Sequence, residues 1–153
     1  MRVLLKLVLD CGPDDAWHAI RSPAELQRVS SPLMAFHSLE PGGFPDEWPE
    51  GEHPIRVEAF GLNIGEQVLA IDYPTAPGGT RIMRDTGYGR RGVFTVVNRW
   101  EHRMAISPAS GGKTLYRDQL VFDAGRLTPL LWPLYWTFWQ WRAFGLRRLA
   151  PTW

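Results

Sequence analysis

Residues 127–149 read LTPLLWPLYWTFWQWRAFGLRRL, and the fold turns on how this stretch is read. Pro129 stands where a first helical residue would be, so its missing N–H costs nothing, and the Thr128 hydroxyl before it is suited to capping orphan amides. Leu131, Tyr135, Phe138, Arg142, Leu146 and Leu149 recur at steps of three and four, which describes one face of an amphipathic helix. Gln140, Ala143 and Arg147 mark the opposite face, with Trp136 turned away as well. Arg142, Arg147 and Arg148 complement the carbonyl end of the helix dipole, so the helix is expected to end near Ala150 and Pro151. Trp132, Trp136, Trp139 and Trp141 cannot all share a face, because positions 139 and 141 stand about 200° apart at ~100° per residue. A helix this aromatic needs a broad apolar surface to lie on, and the rest of the chain has to provide it.

Working outward, five upstream segments carry strand patterns: 55–62 (IRVEAFGL), 65–73 (GEQVLAIDY), 80–88 (TRIMRDTGY), 93–107 (VFTVVNRWEHRMAIS) and 113–124 (KTLYRDQLVFDA). Turn residues separate them: Asn63, Pro77 with Gly78 and Gly79, Gly89 to Gly92, and Gly111 with Gly112. Links this short join antiparallel neighbours. Further upstream, residues 2–10 (RVLLKLVLD) read as a strand buried on both faces, stopped by Gly12 and Pro13. Asp14 or Asp15 is placed to cap a short helix through Trp17 and Ile20, and Ser22 with Pro23 opens a second. A strand at 33–40 then leads to a long Pro/Gly-rich loop, 41–54, which reads either as a cover for a pocket mouth or as a mere insertion. The fold class is therefore α+β: a curved antiparallel sheet around one long C-terminal helix, with two short helices after the first strand, in a single domain spanning 1–153.

Composition narrows the function. The net charge of +1 argues against nucleic acid, and 12% aromatic content asks for somewhere to put large rings, such as a pocket lining. The single cysteine, Cys11, excludes an internal disulfide framework and fits a reducing cytoplasm. The apolar N-terminal run is interrupted by Lys6 and ends at Asp10 without a cleavage pattern, so it reads as a strand and not a signal peptide. The uncharged run 127–141 is shorter than the ~20 residues of a membrane span. No transmembrane segment, metal or cofactor is expected.

Strand parity selects candidate site residues. Asn98, Trp100, His102 and Met104 fall on one face of 93–107, and Tyr116 and Asp118 on one face of 113–124; the alternate positions are charged and face outward. Folding the two strands about Gly111 and Gly112 brings His102 opposite Asp118 or one pair away. A buried His held by an Asp has the orientation a general acid or base needs, so these two are the catalytic candidates; the same pair also reads as a satisfied polar network. Trp100, Tyr116, Asn98, Met104, Asp85, Tyr135, Phe138 and Arg142 complete the candidate ligand contacts. No spacing of His, Cys, Asp and Glu suits a metal.

The order of elements and several local patterns resemble the START-like helix-grip superfamily, also called SRPBCC. The likeness covers nearly the whole chain. Its sharper pieces are Asp15-Ala16-Trp17, RDTGYG from Arg84, WEH from Trp100, TLYRDQLVF from Thr114 and WRAFGLRRL from Trp141. They are similar to uncharacterised bacterial members in which a Trp-x-His strand precedes a Thr-x-Tyr-x-Asp strand; where some carry a second His, this chain has Met104. The resemblance implies a cavity between sheet and helix for a small apolar or amphipathic molecule. It also implies a cyclase or dehydratase as the enzymatic alternative, with His102 and Asp118 moving a proton. A third expectation, from the spare tryptophans, is a homodimeric or membrane-surface interaction protein.

Overall fold

From residue 51 onward the links between strands are too short for a parallel crossover, so each strand folds back on a neighbour. In a computed structural model describing residues 1–153, the chain runs β1 (Arg2–Leu9), α1 (Pro13–Arg21), α2 (Pro23–Ser30), β2 (Met34–Ser38), β3 (Gly51–Ala59) and β4 (Leu62–Asp72). It continues through β5 (Arg81–Asp85), β6 (Tyr88–Gly92), β7 (Arg99–Pro108), β8 (Thr114–Asp123) and α3 (Thr128–Leu149). All eight strands belong to one curved antiparallel sheet, ordered β1-β8-β7-β5-β4-β3-β2, with β6 also pairing β4. The α+β class and the long helix against the sheet agree with the sequence reading.

The register of β7 on β8 matters most for the site. Gly111 and Gly112 both adopt left-handed φ values, 70° and 71°, which a Cβ would disfavour, and they close the connection without slippage. Pairing then runs unbroken from Pro108↔Thr114 to Arg99↔Asp123, placing Met104 opposite Asp118 and His102 opposite Leu120. His102 and Asp118 are thus one pair apart on the same face. Tyr116, Leu120 and Phe122 on that face of β8 are completely buried, each worth roughly 1.5–3 kcal/mol of transfer free energy.

Helix α3 packs across β1 and against α2. At Gly145 a Cβ would lie 2.8 Å from the Val29 carbonyl oxygen, so only glycine lets the two helices approach this closely. Buried Ala143, Leu146 and Leu149 join the same core as Val29 and Leu7. Three indoles dock the helix and the C-terminus by donating to distant acceptors: Trp132 to Arg2 O (2.9 Å), Trp141 to Ser31 O (3.1 Å) and Trp153 to Glu25 Oε2 (2.8 Å).

Several expectations are corrected. The sheet is covered on one face only, so on β1 Leu4 and Val8 are exposed and only the Val3, Leu7 and Leu9 face is buried. Thr128 does not cap α3: its hydroxyl donates to Asp123 Oδ1 and accepts from Ala124 N–H, tying the helix to the end of β8. Gly12, without a side-chain bond, precedes α1, while Asp14 and Asp15 occupy its first turn and complement the dipole instead. Ser22 does cap α2, accepting from Glu25 N–H. Ala143 lies in the core because α2 covers that side of α3. The β3–β4 turn is at Phe60 and Gly61, both with positive φ, not at Asn63.

The segment around Arg84 to Gly92 splits into β5 and β6, so Gly89 to Gly92 is strand and not turn. Val93–Val96 is a 3-10 turn, and β7 begins only at Arg99. Residues 51–54 of the expected loop belong to β3, and Trp48 from the loop is buried, its N–H donating to Arg21 O.

Candidate functional site

The concave face of the sheet presents Met83 from β5, Trp100, His102 and Met104 from β7, and Ile55 and Val57 from β3; α3 closes the other side with Tyr135, Phe138, Trp139 and Arg142. Between them is a cavity of about 440 Å³, and 24 of its 29 lining residues are hydrophobic. Such a size and lining lie within the ~300–1,000 Å³ range of small-molecule pockets. Leu134 of α3 and Val93 of the 3-10 turn line it while remaining exposed, which puts the mouth between the first turns of α3 and the end of β6.

Two of the polar groups in the wall, His102 and Arg142, converge on Asp118 behind it. His102 Nε2 donates to its Oδ1 at 2.8 Å, Trp139 Nε1 donates to the same oxygen at 2.8 Å, and the Tyr116 hydroxyl donates to Oδ2 at 2.6 Å. Arg142 Nη1 stands 3.7 Å from Oδ2. Burial alone would raise the Asp118 carboxyl, but the charge and hydrogen bond of His102, the charge of Arg142 and the Tyr116 hydroxyl hold it below the usual carboxylate range. Tyr116 moves well upward, first through burial and then through the neighbouring carboxylate, so it remains a neutral donor.

Asp85 is the opposite case. Its Oδ1 accepts from Ala70 and Gly87 N–H, each at 2.9 Å, and Oδ2 accepts from Trp100 Nε1 at 2.9 Å. Burial nevertheless raises its pKa, outweighing the Gly87, His102, Trp100 and Ala70 contributions. Two carboxyl groups, on the strands that flank β7, are thereby pushed apart in acidity. Tyr135, pushed up to about 12 by burial, is a neutral phenol at the cavity wall.

The candidate residues divide by this geometry. His102, Trp100, Met104, Asp85, Tyr135, Phe138 and Arg142 line the cavity. Asp118 and Tyr116 are fully buried one layer behind it and act on its contents only through His102, Trp139 and Arg142. Asn98 is a correction: the 3-10 turn breaks the strand before it, and it is exposed at the start of β7 with its N–H on Asp123 O at 2.7 Å. Arg84 faces out and chelates Asp72.

Trp139 was not singled out from the sequence, yet it is 2% exposed, binds Asp118 and packs edge-on to His102 with ring centroids 5.1 Å apart. Helical phase places it beside Tyr135 and Phe138, a signal the crowd of tryptophans obscured. Trp48, reaching the cavity from an irregular loop, had no periodic signal at all.

No family model matches the chain, and no curated protein matches it in sequence. Solved structures do match it in shape. A protein from Chromobacterium violaceum is 20% identical with a TM-score of 0.64, covering 97% of this chain and 96% of that one. A START superfamily protein from Mycobacterium smegmatis is 18% identical with a TM-score of 0.66, covering 99% and 97%. A hypothetical protein from Helicobacter pylori is 10% identical with a TM-score of 0.69, covering 98% and 88%.

The chain has the START-like helix-grip fold.

At these identities the likeness speaks for the fold, and the START-like scaffold leaves chemistry to the groups in its wall. No group of three or more His, Cys, Asp or Glu side chains converges as a metal site, and no helix is long and apolar enough to cross a membrane.

Proposed function

We propose that this START-like chain binds a small apolar or amphipathic molecule between the sheet and α3. The observation that carries the reading is the 440 Å³ cavity and its predominantly hydrophobic wall, placed where the concave sheet meets the helix. Polar groups in that wall are few, so the main drive for binding is removal of apolar surface from water. Titration with the neutral, environment-sensitive dye Nile red tests this. Saturable one-to-one binding with a blue-shifted emission is expected, weakened when Met83→Trp fills the cavity floor. Absence of saturation, or binding indifferent to the filled cavity, rejects the reading.

A second reading rests on a different observation: His102 lines the cavity with Asp118 directly behind it at 2.8 Å. An Asp that fixes one imidazole nitrogen leaves the other free to exchange a proton with a bound molecule, the requirement of cyclase or dehydratase chemistry. Under this reading His102→Gln abolishes turnover of a bound substrate without abolishing its binding, whereas under pure binding His102→Gln alters affinity alone.

A further inference from the structure

Arg142 is a cation in an apolar place. It projects from the inner face of α3, is 6% exposed, and lines the cavity beside Trp139, with its guanidinium 5.2 Å from that indole ring. A guanidinium offers five N–H donors and normally finds oxygen acceptors for them when buried. Here Nε has no hydrogen-bond partner, Nη2 reaches only the Met104 sulfur at 3.8 Å, and Nη1 lies 3.7 Å from Asp118 Oδ2. The carboxylate that balances its charge is already engaged by three closer donors, from His102, Trp139 and Tyr116. Asp118 therefore compensates Arg142 electrostatically while leaving its N–H groups unsatisfied, an arrangement costly to keep unless something else supplies acceptors.

We propose that the molecule held in this cavity is an amphipathic acid whose carboxylate is received by Arg142, with its apolar body among Met83, Met104, Tyr135 and Phe138. The inference rests on the binding reading above and specifies its ligand class. A carboxylate fits better than a neutral hydroxyl, because a guanidinium pairs with two oxygens side by side and that pairing is charge-assisted. Asp85 and Glu25, the acidic groups in the wall, do not oppose it: Ala70, Gly87 and Trp100 donate to both oxygens of Asp85, and Arg28 and Trp153 donate to those of Glu25. Of the remaining ionisable wall groups, Tyr135 is a neutral phenol able to donate to an anion, and the Nε2–H of His102 is committed to Asp118.

Displacement of Nile red by dodecanoate, methyl dodecanoate and dodecanol, at pH 8 and below their aggregation concentrations, tests the assignment. The wild-type protein is expected to prefer dodecanoate over both neutral analogues by about tenfold or more, the scale of a charge-assisted hydrogen bond. In Arg142→Met, checked for native circular dichroism, that preference should disappear while dodecanol affinity changes by less than about threefold. Equal affinity for the three ligands in the wild type, requiring no variant, overturns the proposal and leaves cavity binding standing. So does a preference for dodecanoate that persists in folded Arg142→Met, or failure of all three to displace bound Nile red. If Nile red itself does not bind, this inference falls together with the reading it rests on.

Discussion

Replacing Asp118 by Asn removes a charge while keeping nearly the same shape. Oδ1, which accepts from His102 and Trp139, can be kept as the amide oxygen, and the Tyr116 hydroxyl can turn to accept from the new NH2 group. The main loss is the compensation of Arg142, 3.7 Å away and equally buried. At an effective dielectric of ~20, unit charges at this separation interact by about 4 kcal/mol, and removing one partner of a buried pair costs about 3–5 kcal/mol. Equilibrium urea unfolding followed by circular dichroism should show Asp118→Asn destabilised by that amount at pH 7.

The double variant Asp118→Asn/Arg142→Met should lose less than the sum of the singles, with a coupling of about 1–3 kcal/mol. The pH dependence has a definite sign. Since the folded Asp118 value lies below its ordinary 3.8, its contribution is fully present above that value and is lost as pH falls through the folded one. The gap between wild type and Asp118→Asn should accordingly narrow only below about pH 4. A loss under about 1 kcal/mol at pH 7, or an additive cycle, would refute the view that Asp118 holds Arg142 in place.

Other substitutions probe separate links. Phe138 lines open space and is only half-buried, so Phe138→Ala should cost less than the ~3–5 kcal/mol of a fully packed ring while weakening Nile red binding; a full-sized loss with unchanged dye affinity would place it in a filled core. Trp139→Phe keeps the ring packing against His102 but removes one donor from Asp118, and should cost about 1.5–3 kcal/mol by urea unfolding. Gly145→Ala raises helix propensity yet drives a Cβ to 2.8 Å from Val29 O; destabilisation of about 1–3 kcal/mol is expected, and stabilisation would mean that α2 and α3 do not approach as described.

Where periodicity was long and undisturbed, the fold was legible. The steps of three and four in 127–149 identified α3, and the period-two pattern of 113–124 and the second half of 93–107 gave the shared parity of His102 and Asp118 that the register reproduces. Parity failed where the chain leaves the strand: carrying the alternation of Trp100 and His102 back to Asn98 puts it in the cavity, but β7 begins only at Arg99, just after the 3-10 turn Val93–Val96. Depth was not legible either. Strand alternation tells which face Tyr116 and Asp118 occupy, but not that Trp139 and His102 stand in front of them, because that depends on how closely α3 approaches. Nor could composition tell that the outer face of the sheet is left uncovered, and so β1 with its Val and Leu read as buried on both faces.

A crystal structure of the protein grown with dodecanoate would show directly whether the cavity holds an amphipathic acid. Ordered density is expected for the alkyl chain between α3 and the sheet, against Phe138 and Met83, with both carboxylate oxygens on Arg142. Ligand density confined to exposed Leu130 and Trp136 on the outside of α3, or a cavity closed by repacked side chains and empty of ligand at saturating concentration, would contradict it.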